Sequence, residues 1–139
     1  MATLSSFLSA NEYILMEIAG DGNCFYRAAA IALFKDESKH KVLRDIMMDH
    51  MLTKTEQYAE YFTSDIQYRR KVSANRRNGV WNTEIADIVP VELALKFDIT
   101  LVIHDCNETT KKVTTRKYGR GATKVYLMRT DDGHYSLLV

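Results

Sequence analysis

Two side chains near opposite ends of the 139-residue chain have the chemistry of a nucleophile and its base. Cys24 follows Asp21, Gly22 and Asn23 and opens the apolar, helix-forming run FYRAAAIAL at residues 25–33. A thiol attacks as its thiolate. A helix N-terminus or a neighbouring imidazolium can bring a thiol pKa from about 8.5 down to roughly 3.5–7.5. The unpaired N–H groups of a first helical turn favour an anion, whether that anion is the thiolate or the oxyanion of an attacked carbonyl. Asp21 and Asn23 are both N-cap types, and Gly22 lets the backbone bend tightly or approach a substrate. Read alone, the segment fits equally well an ordinary capped helix holding a buried cysteine.

The second side chain is His134. It follows the turn signal Thr130, Asp131, Asp132, Gly133 and leads the apolar run Tyr135, Ser136, Leu137, Leu138, Val139. A histidine at the mouth of a strand is held rigidly yet stays near solvent, which suits a general base that must exchange protons. A lone histidine is commonly structural. Set beside Cys24, it completes the Cys and His pair that sequence-distant residues of thiol hydrolases form in space.

The elements that must bring these two groups together can be read coarsely. Residues 13–18 read as a short extended segment leading into the Asp21 loop, and the helix after Cys24 ends near Phe34. Ser38 is expected to cap a second helix whose apolar stripe is Val42, Leu43, Ile46, Met47 and Met51. Thr53 with Glu56 matches a capping box for a helix bearing Tyr58, Tyr61 and Phe62, and Ser64 caps another through Val72. Residues 75–79 break the helical run. A further helix starts between Thr83 and Asp87, with Pro90 tolerated in the first turn or as a kink, and Ile88, Val91, Leu93 and Leu95 packing on the sheet. Residues 99–104 form a buried strand, 105–108 a polar turn, 111–118 an exposed strand and 119–121 a turn. Residues 124–129 and 134–139 complete a hairpin, so the last third reads as an antiparallel meander in an α+β layout.

Composition bounds the class. The length fits one domain that buries about two-thirds of the surface its unfolded chain exposes. Lys plus Arg total 19 against 18 Asp plus Glu, for a net charge of +1, which gives no electrostatic case for nucleic acid or a membrane surface. Two cysteines, Cys24 and Cys106, argue against a disulfide framework and for a reducing, cytoplasmic setting. Residues 1–11 lack the basic and apolar regions of a secretory signal, and no run is long enough to span a bilayer. His40, His50 and His104 lack a ligand spacing that would hold zinc, so no metal and no cofactor is expected. A thiol redox role lacks a Cys-X-X-Cys pair.

Three blocks, DGNCFYRA at residues 21–28, GVWNTEIADIVPVELALKFDITLVI at 79–103 and GHYSLLV at 133–139, stand in an order that resembles the ovarian tumour (OTU) family of cysteine deubiquitinases. The resemblance spans nearly the whole chain. It implies a papain-like OTU fold of the α+β class, with a small antiparallel-rich sheet packed between helices and a helical arm, forming a single catalytic domain over residues 1–139. The implied reaction is hydrolysis of the isopeptide bond after the C-terminal Gly-Gly of ubiquitin through a thioester intermediate. Cys24 would be the nucleophile, His134 the base and Asp21 the acid of the cysteine motif, with Gly22 and Asn23 in the oxyanion-hole loop. Many family members carry Asp or Asn two residues after the histidine; this chain has Ser136. Asp21, Ser136 or another group could therefore hold the imidazole, and Asp21 could instead only order its loop.

Ubiquitin or polyubiquitin is the partner that the resemblance implies, docking on an arm within residues 35–78, and the enzyme is expected to be a monomer. Arg69, Arg70, Lys71, Arg76 and Arg77 in that arm read either as a solvated helix face or as a contact to an acidic surface. Trp81 reads either as a core anchor or, with Tyr135, as a wall of the groove that admits the two glycines. Other readings are a protease for another ubiquitin-like modifier, a viral-type polyprotein protease, or a ubiquitin-binding module without turnover. A viral or intracellular bacterial source would place the enzyme in the host cytosol.

Overall fold

The computed structural model describes residues 2–81 and 83–139; Asn82, inside the second of the three blocks, lies outside the described residues. Helices dominate the first two-thirds of the chain: α1 (Ala2–Ala10), α2 (Cys24–Phe34), α3 (His40–Thr53), α4 (Thr55–Tyr58), α5 (Asp65–Asn75), α6 (Thr83–Ala86) and α7 (Val89–Lys96). A two-residue strand β1 (Leu15–Met16) precedes α2, and β2 (Ile99–Asn107), β3 (Lys112–Tyr118), β4 (Thr123–Thr130) and β5 (Tyr135–Leu138) follow α7. The five strands form one sheet in the order β1-β5-β4-β2-β3. The expected α+β class is what the chain adopts.

The sheet departs from a meander. β3 pairs antiparallel with β2 on the outer side, but β4 lies on the other side of β2 and runs parallel to it. The connection across residues 119–122 makes this possible. A β-carbon on Gly119 would lie 2.2 Å from the Ile99 carbonyl oxygen, and one on Gly121 would lie 2.0 Å from that of Asp98. The chain thus crosses hard against the start of β2, where only glycine fits. β4 then returns through the Gly133 turn to β5, which pairs antiparallel with β4 and with β1.

Both faces of this sheet are covered. On one side Leu101 and Ile103 join α2, α3, α5 and α7 in the main core. On the other, Cys106 with Met128 and Leu138 packs under Phe7 and Leu8 of α1. Alternate residues of β2 therefore serve two cores, which is why its pattern reads as nearly continuous burial. The expected turn at residues 105–108 is displaced, because β2 continues to Asn107 and buries Cys106 within it. The helix at the N-terminus had no counterpart in the sequence reading.

Helix boundaries and faces also shift. Asp36, and not Ser38, caps the helical region: its carboxylate accepts from the Ser38 N–H, opening a short 3-10 turn before α3. Val42 is 52% exposed, and the buried face of α3 is Leu43, Arg44, Met47, Met48 and Met51. The capping box at Thr53 does not form, since α3 runs through Thr53, whose hydroxyl donates to the His50 carbonyl. Ser64 does cap α5, accepting from the Gln67 N–H, and that helix continues to Asn75. In α7, Pro90 occupies the first turn as expected, but Leu95 faces out and Glu92 faces in.

Candidate functional site

The loop before α2 is built around two glycines packed back to back. Gly22 has φ +82°, and a β-carbon there would stand 2.0 Å from the Gly79 carbonyl oxygen. Gly79 in turn has φ +79° and lies against the Asp21 carbonyl. Residues 20–23 are thus pressed onto residues 75–81, the segment that carries Trp81. Asn23 occupies the N-cap position without capping the helix. Its side-chain oxygen instead accepts from the Gly79 N–H at 2.8 Å and from the Arg44 guanidinium at 2.9 Å.

Asp21 ties the same loop from the other side. Its carboxylate accepts the Asn23 N–H at 3.1 Å and a bidentate pair from Arg27, one turn into α2, with a closest approach of 2.6 Å. Hydrogen bonding from Arg27 holds this carboxyl well below the usual carboxylate range. Asp21 thus faces Arg27, and the Asn23 N–H assigned to the oxyanion loop is occupied. Among the described residues, the Cys24 N–H carries no acceptor, as expected of a first helical turn.

Cys24 is half-buried at the first position of α2. The Tyr135 N–H, at the start of β5, donates to its Sγ at 3.4 Å. This contact joins the two ends of the chain and brings the residue after His134 onto the sulfur. His134 itself is half-exposed, and its ring lies over Gly20: a β-carbon on that glycine would be 3.5 Å from Nδ1. The turn is held by Asp132, whose carboxylate accepts the Thr130 hydroxyl and the His134 N–H, while the Thr130 N–H donates to the His134 carbonyl at 3.0 Å. Those bonds, the Thr130 hydroxyl first, pull the Asp132 carboxyl below its ordinary value.

Among the described residues no hydrogen bond reaches the His134 ring from Asp21 or from Ser136, which is buried opposite Met128 in β5. Trp81 packs against the core and also borders a surface cleft. Its ring packs on Phe25, Tyr26 and Tyr135 at centroid distances of 5.2, 5.7 and 5.9 Å, and its outer edge lines a cleft of about 300 Å³ with Tyr135, Asp87, Asp105, Arg116 and Arg129. Burial pushes the Tyr135 hydroxyl up. Asp105 holds Arg116 through a bidentate pair at 2.6 and 2.9 Å, leaving Arg129 3.7 Å from the same carboxylate.

The other singled-out groups separate. Two of the five cluster residues form surface ion pairs: Lys71 with Glu84 at 2.7 Å, and Arg76 with Asp49 at 2.7 Å. Arg69, Arg70 and Arg77 form an open groove with Ile66. His50 bonds the buried Glu92 at 2.8 Å, and His104 bonds Thr115 at 2.8 Å and the Tyr13 hydroxyl at 3.1 Å. No helix of the described residues is long and apolar enough to cross a membrane. The sequence reading missed Gly20, which makes room for the imidazole, and Arg44. The available signal for Arg44 was its place four and seven residues before Met48 and Met51, on the buried face of α3.

Known proteins share this architecture. The family model described as "Vertnin, OTU domain" matches residues 16–115. The Arabidopsis thaliana protein named OVARIAN TUMOR DOMAIN-containing deubiquitinating enzyme 10 is 30% identical over 83 residues, 59% of this chain and 22% of that protein. OTU domain-containing protein 3 of Mus musculus is 28% identical over 93 residues, 67% of this chain and 23% of that protein. The chain therefore aligns with less than a quarter of the length of either relative. Among solved structures, the OTU domain of OTUD1 superposes with a TM-score of 0.83 at 17% identity, covering 99% of this chain and 93% of that one. The Hazara virus OTU bound to ubiquitin superposes with a TM-score of 0.75 at 17% identity, covering 93% and 82%.

Proposed function

This chain belongs to the OTU domain family, and from that premise we propose that it is a cysteine-dependent deubiquitinase acting as one monomeric catalytic domain. The observation that carries the reading is the 3.4 Å contact of the Tyr135 N–H with the Cys24 sulfur, which sets a helix-N-terminal thiol beside the residue following a half-exposed histidine. His134 takes the Cys24 proton, and the thiolate attacks the carbonyl of the terminal glycine of ubiquitin. The Cys24 N–H, without an acceptor among the described residues, receives the oxyanion. His134 then protonates the leaving lysine amine, and water hydrolyses the thioester. Ubiquitin binding by the Hazara virus relative supports the substrate class.

The Trp81 and Tyr135 edges give the narrow wall that a Gly-Gly tail needs, and the globular part of ubiquitin docks on the arm. There Tyr61 is 74% exposed beside a groove formed with Tyr58, Phe62 and Ile88. Two free thiols suit a reducing cytosol. The test is incubation with ubiquitin carrying a C-terminal electrophile. A covalent adduct that disappears in Cys24→Ala is the expected result. No adduct with the wild-type chain, or one that survives Cys24→Ala, overturns the reading, and an adduct formed only with another modifier overturns its substrate.

A further inference from the structure

We infer that Arg44 is a positioning residue that locks the peptide planes of the Cys24 loop so that the Cys24 N–H faces the reacting carbonyl; the inference rests on the hydrolase reading above. Arg44 is 2% exposed and stacks 4.3 Å from the centroid of the Tyr26 ring. One terminal nitrogen donates to the Gly22 carbonyl at 3.1 Å and to the Asn23 side-chain oxygen at 2.9 Å. The other donates to the Asn75 carbonyl at 2.7 Å and to the Val80 carbonyl. Every one of these acceptors is neutral, and Nε has none among the described residues. A buried cation whose hydrogen bonds all go to neutral acceptors costs stability, so its placement points to geometry. The planar fork of guanidinium donors can grip two backbone segments at once; an ammonium cannot.

The geometry follows from peptide planarity. In a trans peptide the C=O and N–H point opposite ways. The Gly22 carbonyl is fixed on Arg44, and the N–H of the same peptide, that of Asn23, is fixed on Asp21 at 3.1 Å. The next peptide is fixed by the helix: the Asn23 carbonyl accepts from the Arg27 N–H at 2.8 Å, which turns the Cys24 N–H out of the helix end. Gly22, at φ +82°, is the one point where this loop could flip cheaply, and Arg44 holds its carbonyl. Through Asn23, the same guanidinium fastens the loop to Gly79 and so to the segment bearing Trp81.

Three readouts on Arg44→Lys and Arg44→Gln test this. Turnover of a ubiquitin amide substrate should fall about 10- to 100-fold in kcat, below the loss seen when an oxyanion donor is removed outright, with KM changed less than about threefold. Alkylation of Cys24 by iodoacetamide forms no oxyanion, so its rate should change less than about threefold. Amide exchange at Asn23 and Gly79 should quicken at least about tenfold relative to β4. Should both Arg44 variants fail to fold, Asn23→Ala removes the shared acceptor and should give the same split. Unchanged kcat in a folded variant, alkylation falling in step with turnover, or unchanged exchange at Asn23 and Gly79 would each overturn the inference. Exchange needs no catalysis, so a wild-type chain without an adduct would sink the hydrolase reading while exchange still decided the role of Arg44.

Discussion

Asp21 shows how a carboxylate in a cysteine motif can serve its own loop. Its motif place beside the cysteine invites a catalytic role, yet both oxygens serve Arg27 and the Asn23 N–H. Its folded pKa lies below the ordinary 3.8, so the folded state favours the charged form. The sign follows: its contribution is complete above about pH 4 and is lost as pH falls through the lowered value. With side chains 23% and 39% exposed, the Arg27–Asp21 pair contributes no more than about 1 kcal/mol. Asp21→Asn should therefore lower stability by at most about 1 kcal/mol at pH 7, and urea unfolding should show the gap closing below pH 4. The same variant should still form the Cys24 adduct with ubiquitin carrying a C-terminal electrophile, and a marked loss of that adduct would give Asp21 a part in orienting the imidazole.

At the scale of elements, two backbone crossings and one buried acid decide the packing. Gly22→Ala would drive a methyl into the Gly79 carbonyl 2.0 Å away while forcing φ +82° on a residue with a side chain. It should cost about 2–4 kcal/mol, combining the left-handed penalty of about 1–2 kcal/mol with the clash. Gly79→Ala meets only a 3.3 Å contact, so about 1–2 kcal/mol is expected from φ alone. Chemical denaturation of the pair checks the order.

Glu92 ties three helices, accepting the Tyr58 hydroxyl at 2.5 Å and bonding His50 at 2.8 Å while fully buried. Burial first, and then the bond to Glu92, push the Tyr58 hydroxyl well above its ordinary value. Glu92→Ala leaves two partners orphaned at about 1–3 kcal/mol each and should destabilise by about 2–4 kcal/mol. Its thiol alkylation rate, measured well below the melting temperature, should stay within about threefold of wild type, because the side-chain bonds of Glu92 go to His50 and Tyr58 and not to Cys24 or His134.

Across the whole molecule, two histidines set an acid limit. Burial lowers the pKa of His40 and of His104 from the ordinary 6.5, so the unfolded chain binds protons first as pH falls. Their contribution is complete above about pH 6.5 and is lost as pH drops through the lowered folded values. The melting temperature should fall between pH 7 and pH 5, and His104→Asn should flatten part of that slope. A melting temperature flat across this range in wild type would contradict the burial of both rings. His104 also fastens α1 to the far face of the sheet, with Phe7 4.9 Å and Tyr13 5.5 Å from its ring.

Local chemistry was legible along the chain: the helix opening at Cys24, the Ser64 cap, the Pro90 first turn, the Gly133 turn before His134 and the α+β class each rest on a few adjacent residues. These depend on backbone preferences and short-range bonds, which a sequence carries by itself. What depended on distant partners was not legible. An inward Glu92 and an outward Leu95 invert the hydrophobic expectation because His50 and Tyr58, from two other helices, satisfy the acid. The parallel pairing of β2 with β4 hangs on a crossing that only Gly119 and Gly121 permit against Asp98 and Ile99. The acceptors of Arg44 come from residues 22–23 and 75–80, which only the fold brings around it. Hydrophobic period and capping are properties of neighbours in sequence, whereas the choice of which polar group may be buried belongs to whatever the fold brings to meet it.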